Sequence, residues 1–204
     1  MRINAPYACG CNGGCTANRS AGKDGCLRLL AVGTSGFSDR NMARKSGHVS
    51  QTPATQWLQR HGVAYTEHPY DYVDHGGTAE SARQTGWDEH AVVKTLVMQD
   101  ERAQPLVVLM HGDCQVSTKS LAREIGCKSV EPCKPEVAQR HSGYLVGGTS
   151  PFGFRKAVPV YVEATVLSLP RVLINGGRRG YLVGIEPDSL VRVLKARPVK
   201  CAIP

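Results

Sequence analysis

Lys94 lies in the apolar run Val92-Val93-Lys94-Thr95-Leu96-Val97-Met98, and its ammonium group is the first in this chain that invites a chemical reading. The run is rich in β-branched residues and short enough to be one extended segment. Alternation puts Lys94 on the face of Val92, Leu96 and Met98, a half-buried surface where an unpaired charge is costly. The ordinary explanation is an edge strand with the amine snorkelling to water; the other is an amine held for a ligand. Such a lysine can serve as a cation against developing negative charge. Where burial depresses its pKa by up to about 3–5 units, it can instead serve as a neutral base.

Two further blocks carry chemistry. In Gly143-Tyr144-Leu145-Val146-Gly147-Gly148-Thr149-Ser150-Pro151 the small residues let backbone N–H groups approach a ligand, as an anion or carbonyl cradle requires; a plain turn needs the same residues. No Gly-Lys-Ser/Thr follows at the offset of a phosphate-binding P-loop. In Asn175-Gly176-Gly177-Arg178-Arg179-Gly180 the glycines fit a tight turn, and the arginines suit phosphate, an acidic partner or plain solvation. Tyr70, in His68-Pro69-Tyr70, reads locally as a packing residue at a strand end. His68, His75 and His111 occur without a nucleophile elbow, which disfavours a serine or cysteine hydrolase.

The elements that must position these groups begin at Thr52, a helix cap followed by Pro53 and stopped by Gly62. A strand is expected over 63–70, a short helix over 78–85 closed by Gly86, and then the lysine strand and a second apolar strand over 105–110. Helices over 118–125 and from Pro135 follow, then strands over 158–163 and 172–174. Asn175-Gly176-Gly177 reads as a turn into a strand over 181–185, and a last helix runs from Pro187 to Leu194. Strands and helices mix without strict alternation, which indicates a mixed α/β (α+β) domain rather than a doubly wound nucleotide fold.

The 204 residues suffice for one sizeable core, and no apolar stretch approaches membrane-spanning length. Residues 27–32 are too short, and too interrupted by Arg28, for a secretory signal, so the expected compartment is the cytoplasm. The net charge of +8 is uneven: residues 1–45 hold seven basic and two acidic side chains, and the remainder is only mildly basic. That balance suits contact with RNA backbone at one surface. Residues 1–48 are expected to be a disordered glycine- and cysteine-containing extension, with Met42 as an alternative start, and residues 49–204 a single domain. Cys9, Cys11, Cys15 and Cys26 lack the paired spacing of a zinc knuckle, and Cys114, Cys127, Cys133 and Cys201 are scattered, so all eight read as reduced thiols.

The lysine strand, the 143–151 block about fifty residues later and the 175–180 block together resemble, in order and wording, the YbaK/EbsC-type Cys-tRNA(Pro) deacylases. The resemblance runs from about Thr52 to Ala196. It implies a free-standing relative of the editing domain inserted in prolyl-tRNA synthetases, with a mixed, partly closed β-sheet surrounded by helices. It implies Lys94, Thr95 and Gly147 as catalytic residues. Tyr70, Gly148, Thr149, Ser150, Pro151, Asn175, Gly176 and Leu182 would line the substrate site. Leu182 and Asn175 depart from the family, which has an aspartate and a serine there, and these departures bear on amino-acid specificity. The implied partners are aminoacylated tRNA(Pro), with tRNA(Cys) as a second substrate, and prolyl-tRNA synthetase in a transient complex. No metal, organic cofactor or membrane is implied.

The chemistry expected is cleavage of an aminoacyl ester. A cysteine on the tRNA can attack its own carbonyl and leave as a thiolactone, so that the enzyme contributes mainly positioning. Two alternatives stay open: water-dependent deacylation of Ala- or Ser-charged tRNA, and a non-catalytic module that binds tRNA or synthetase.

Overall fold

The computed structural model describes residues 51–203; the expectations for the N-terminal extension lie outside them. Helix α1 (Pro53–Arg60) starts at Thr52, whose hydroxyl accepts from Thr55 N–H while Thr55 returns the bond in a capping box. Strand β1 (Thr66–Pro69) follows, then helix α2 (Gly77–Thr85), a 3-10 turn (Glu89–Ala91) and the long strand β2 (Val92–Asp100). Next come β3 (Pro105–His111), β4 (Gln115–Val116), α3 (Thr118–Ile125), β5 (Val130–Pro132) and α4 (Pro135–Ser142). The chain closes with β6 (Val160–Glu163), a 3-10 turn (Ala164–Ser168), β7 (Val172–Arg178), β8 (Tyr181–Ile185), α5 (Asp188–Leu194), β9 (Arg197–Val199) and β10 (Ala202–Ile203). Among the described residues no helix is long and apolar enough to cross a membrane.

The strands form one mixed sheet ordered β1-β8-β7-β2-β3-β6-β9, with β5 added to the far end of β2 and a separate β4–β10 pair. The β2–β3, β7–β8 and β1–β8 pairs are antiparallel; β2–β7, β3–β6 and β6–β9 are parallel. One sheet face carries Val93, Val107, Leu109, Ile174 and Val183 into a core closed by Leu58, Phe152 and Leu190. The other face carries two smaller clusters, one around Met98, Val108, Met110 and Leu121, the other around Val92, Leu173, Leu182 and Ala82. Lys94 belongs to this second face, between the two clusters.

Three boundaries differ from expectation for local reasons. The first strand starts at Thr66 because Val63 N–H is taken by Leu58 O, finishing the helix end. The 158–163 strand starts at Val160 because Pro159 offers no ladder donor. Asn175-Gly176-Gly177 is part of β7: Asn175 Oδ1 accepts from Gly177 N–H at 2.7 Å, and the strand bulges between Asn175 and Arg178, which moves the reversal to Arg179-Gly180.

Candidate active site

The parallel strands β2 and β7 pair only at Val92–Leu173 and Val93–Ile174. Beyond that point β7 bulges away, and β5 joins β2 only from Met98. The sheet therefore opens along β2 from Lys94 onward, beside the carboxyl-terminal half of β7. Lys94 and Thr95 stand on one rim, Asn175 and Gly176 on the other. A surface hollow lined by Asp100, Arg102, Ile125 and Tyr161 lies at the other end of β2 and holds none of these residues.

Lys94 is half-buried, and its Nζ donates to Gly112 O at 3.0 Å. Among the described residues no carboxylate oxygen comes within 4.0 Å of it. An ammonium has three donors, so one bond leaves two for a ligand. Gly112 O also lies 3.1 Å from Thr78 Oγ1, which is 2.8 Å from Glu89 Oε1. A side chain at Gly112 would meet Glu89 O at 2.6 Å and Thr78 Cβ at 2.8 Å, so the lysine's acceptor is wedged against α2 and the 3-10 turn.

The 143–151 segment faces the other rim. Gly143, at φ 82°, ends α4 in the left-handed conformation, and Tyr144 Oη donates to Phe152 O at 2.5 Å across the base of the loop. Asn175 Nδ2 donates to Gly147 O at 3.1 Å, and Arg179 Nε donates to Val146 O at 2.9 Å. Gly148 N–H is occupied by Leu145 O at 2.9 Å. Among the described residues, the N–H groups of Gly147, Thr149 and Ser150 have no protein acceptor, which leaves them available to a ligand, whereas that of Gly148 is taken. Gly148 has no room to grow, since a Cβ there would lie 3.0 Å from Arg178 backbone atoms. Ser150 and Pro151 are buried, and Thr149 is partly so.

Leu182 pairs with Asn175 on one side and His68 on the other, so all three share a face. It is 4% exposed and packs with Val92, Leu173 and Ala82, with Tyr70 and Trp87 against that cluster. Burial pushes the Tyr70 phenol above its usual range, which keeps it protonated. The wall beside Asn175 is thus apolar, with one hydroxyl.

The structure brings Lys94, Tyr70, Asn175 and Leu182 to one face of the sheet and ties Gly147 to Asn175. Thr95 does not join them: it pairs with Leu109, whose side chain enters the opposite core, and its Oγ1 is buried without a hydrogen-bond partner. Four residues outside the expected catalytic and substrate-lining sets flank these groups, and of them the sequence marks Arg179 alone, as suited to phosphate. Thr78 and Gly112 anchor the lysine. Tyr72 and Arg179 flank Gly147, with the guanidinium 4.8 Å from the ring centre and the phenol oxygen 3.0 Å from where a Gly147 Cβ would be. Tyr72 follows Tyr70 by two positions, the one signal that could have drawn attention to it.

Residues 75–193, the span from the start of α2 into α5 that contains the lysine strand, the loop and the bulged strand, match the model of the aminoacyl-tRNA editing domain. The chain belongs to this family. Its reaction class is aminoacyl-tRNA editing, the deacylation of a charged tRNA. This editing domain is 28% identical over 151 residues to a protein of Enterococcus faecalis named "Putative Cys-tRNA(Pro)/Cys-tRNA(Cys) deacylase EbsC", covering 74% of this chain and 92% of that one. It is 26% identical over 101 residues to a proline–tRNA ligase of Streptococcus equi subsp. equi, covering 49% of this chain and 16% of the ligase. A solved structure described as a "putative trans-editing enzyme for prolyl tRNA synthetase" shares the fold, with a TM-score of 0.66 at 22% identity over 74% of this chain and 96% of that one.

Proposed function

We propose that the editing domain removes cysteine from Cys-tRNA(Pro), with Cys-tRNA(Cys) as a second substrate, acting in trans beside prolyl-tRNA synthetase in the cytoplasm. The observation that carries this reading is the Lys94 amine: one protein acceptor, two free donors, and a gap in the sheet across which the N–H groups of Gly147, Thr149 and Ser150 are also free. Donors from two sides suit an aminoacyl ester, whose carbonyl gains negative charge as it is attacked.

In the proposed step the substrate's own thiol supplies the nucleophile. The cysteine sulfur bonds to the carbonyl carbon, the carbon–oxygen bond to the terminal ribose breaks, and the thiol proton ends on the released ribose oxygen. No water is consumed, and the product is a cyclic thiolactone. Lys94 stabilises the carbonyl oxygen or holds the sugar-phosphate, while the loop N–H groups fix the carbonyl. Tyr70 and Leu182 bound the amino-acid side chain, Asn175 and Gly176 carry the far rim, and Thr95 bounds the gap from behind. Positioning of this kind accounts for large rate factors without an enzyme nucleophile.

Leu182 also supports a second reading, in which water cleaves an Ala-charged tRNA. An apolar wall accepts a methyl or a thiol but leaves a serine hydroxyl unpaired, a difference of about 1–3 kcal/mol. The test is a panel of Cys-, S-methyl-Cys-, Ala-, Ser- and Pro-charged tRNA(Pro) with wild type and Lys94→Ala. Loss of Cys ester only, with S-methyl-Cys spared, is the expected pattern. Cleavage of the Ala ester would favour water. No ester cleaved faster by wild type than by the variant would leave a binding module and end the deacylase reading.

A further inference from the structure

Just beyond the lysine's acceptor, the turn after β3 carries Asp113 and Cys114, and the 3-10 turn before β2 sets His90 beside them, three donor groups outside the editing chemistry. His90 Nδ1 lies 2.9 and 3.0 Å from the two carboxylate oxygens of Asp113, and Cys114 Sγ lies 3.4 Å from Asp113 Oδ1. The imidazole nitrogen, carboxylate oxygen and sulfur all fall within 4.8 Å of one another. In a tetrahedral site with metal–ligand bonds of about 2.0–2.3 Å, neighbouring donors are about 3.3–3.6 Å apart, so two edges of this triangle are already close to length.

Three restraints hold the triangle together. The His90 ring stacks on the buried His111 ring with centroids 3.7 Å apart and planes 13° apart. His111 Nδ1 is 2.6 Å from His90 O, and its Nε2 is 2.8 Å from Thr165 Oγ1. Gly112 presses its backbone against Glu89, which fixes the turn carrying Asp113 and Cys114 against the segment carrying His90. A surface ion pair alone has no need of a sulfur or of a ring locked from behind.

We propose that His90, Asp113 and Cys114 bind a divalent cation of borderline softness, Zn²⁺ or one of like chemistry, through Nδ1, one carboxylate oxygen and Sγ. The imidazole and thiolate select such an ion over Mg²⁺ or Ca²⁺, and three protein donors leave a fourth position for water or an incoming ligand. On binding, the ion replaces the proton of the Cys114 thiol, which leaves to solvent, and the proton that His90 Nδ1 donates to Asp113 moves by exchange with solvent to Nε2, which frees Nδ1 for the ion. The ion then sits at the residues directly following Gly112, whose carbonyl holds Lys94.

Cobalt(II) reports on this site without any tRNA, so its outcome is independent of the deacylase reading. The probe is titrated into the full chain in which Cys9, Cys11, Cys15 and Cys26 are replaced by Ser. One equivalent should give intense tetrahedral visible bands and a sulfur-to-cobalt charge-transfer band, both removed by Zn²⁺. Cys114→Ala, and the smaller change Cys114→Ser, should abolish the charge-transfer band. His90→Phe, which keeps a ring against His111, and Asp113→Asn should each weaken affinity by about tenfold or more. A weak octahedral spectrum, or a charge-transfer band that survives both Cys114 variants, would overturn the proposal.

Discussion

Lys94 and Gly112 are joined by a 3.0 Å hydrogen bond from the ammonium to the carbonyl oxygen, made across the β2–β3 pair at the point where β3 ends. The amine is thereby held on an otherwise apolar face, beside Val92 and opposite Met110, with no counter-ion among the described residues. Such an arrangement costs stability and is retained where a site needs it.

The cost can be measured. Lys94→Met replaces the ammonium by an apolar chain of similar length beside Leu96 and Met110. It should leave the protein as stable as wild type or more stable by about 0.5–2 kcal/mol, read from urea unfolding. A loss of more than that amount would mean that the lysine is a structural cross-link.

The 143–151 loop should respond to small substitutions. Gly147 has φ 84°, where a side chain costs about 1–2 kcal/mol, and at Gly148 a methyl would collide with backbone of β7 at 3.0 Å. Gly148→Ala is expected to lower kcat/KM for deacylation by about tenfold or more, with a far smaller change in Tm, because loop donors move by tenths of an ångström. Equal kcat/KM in the variant would show that the loop does not hold the substrate.

Leu182 is buried and forms the apolar wall of the proposed site. Leu182→Ala should cost about 2–5 kcal/mol in denaturant unfolding, as for other fully packed leucines. Among the folded molecules, the preference for Cys over Ser esters should shrink. An unchanged Cys-to-Ser ratio would remove Leu182 from the specificity argument.

Arg179 and Tyr72 form an exposed aromatic and cationic edge beside Gly147. Arg179→Ala should raise KM for aminoacyl-tRNA more than it lowers kcat, and should reduce the slope of log KM against log salt by about one. A slope equal to that of wild type would place the guanidinium away from phosphate.

His68 faces Leu182, with Nε2 2.8 Å from Thr66 Oγ1. Its pKa lies below 6.5, first through burial and then through the charge of Arg171. The unfolded chain therefore takes up this proton at a higher pH than the folded one. The contribution is fully present above about pH 6.5 and is lost as pH falls from there through the folded value. Thermal unfolding from pH 7.5 down to 5 should show a smaller decline in His68→Gln than in wild type. Parallel curves would contradict this assignment.

Much of the fold was legible because local chemistry agreed with it. Thr52-Pro53, Gly86 and Gly126 marked helix ends where helices do start and stop, and the alternation around Lys94 placed that residue on its observed face. The Asn175-Gly176-Gly177 string was deceptive, since the same residues and the same bond from Gly177 N–H to the Asn175 side chain serve in turns and in bulges, and only the pairing register of β7 with β8 distinguishes them. Of the candidate site, Lys94, Gly147 and Asn175 were legible as parts of sequence blocks, and Leu182 only as a departure from the family resemblance. Their meeting was not, because it depends on where β2 and β7 stop pairing. Thr95 illustrates the limit: adjacency to Lys94 in sequence guarantees the opposite face of a strand. His90 and Cys114 were illegible as a pair, being brought together by tertiary packing of Gly112 on Glu89 and of the His90 ring on His111.

Single-turnover cleavage of Cys-tRNA(Pro) by wild type and by Lys94→Met, with both proteins shown to be folded, tests the central claim most directly. Wild type should release the amino acid faster than buffer does, and the variant should be slower than wild type by about 10²–10³-fold, the loss that follows removal of one positioned donor to a developing oxyanion. A variant that clears the ester at the wild-type rate would show that Lys94 has no part in the chemistry.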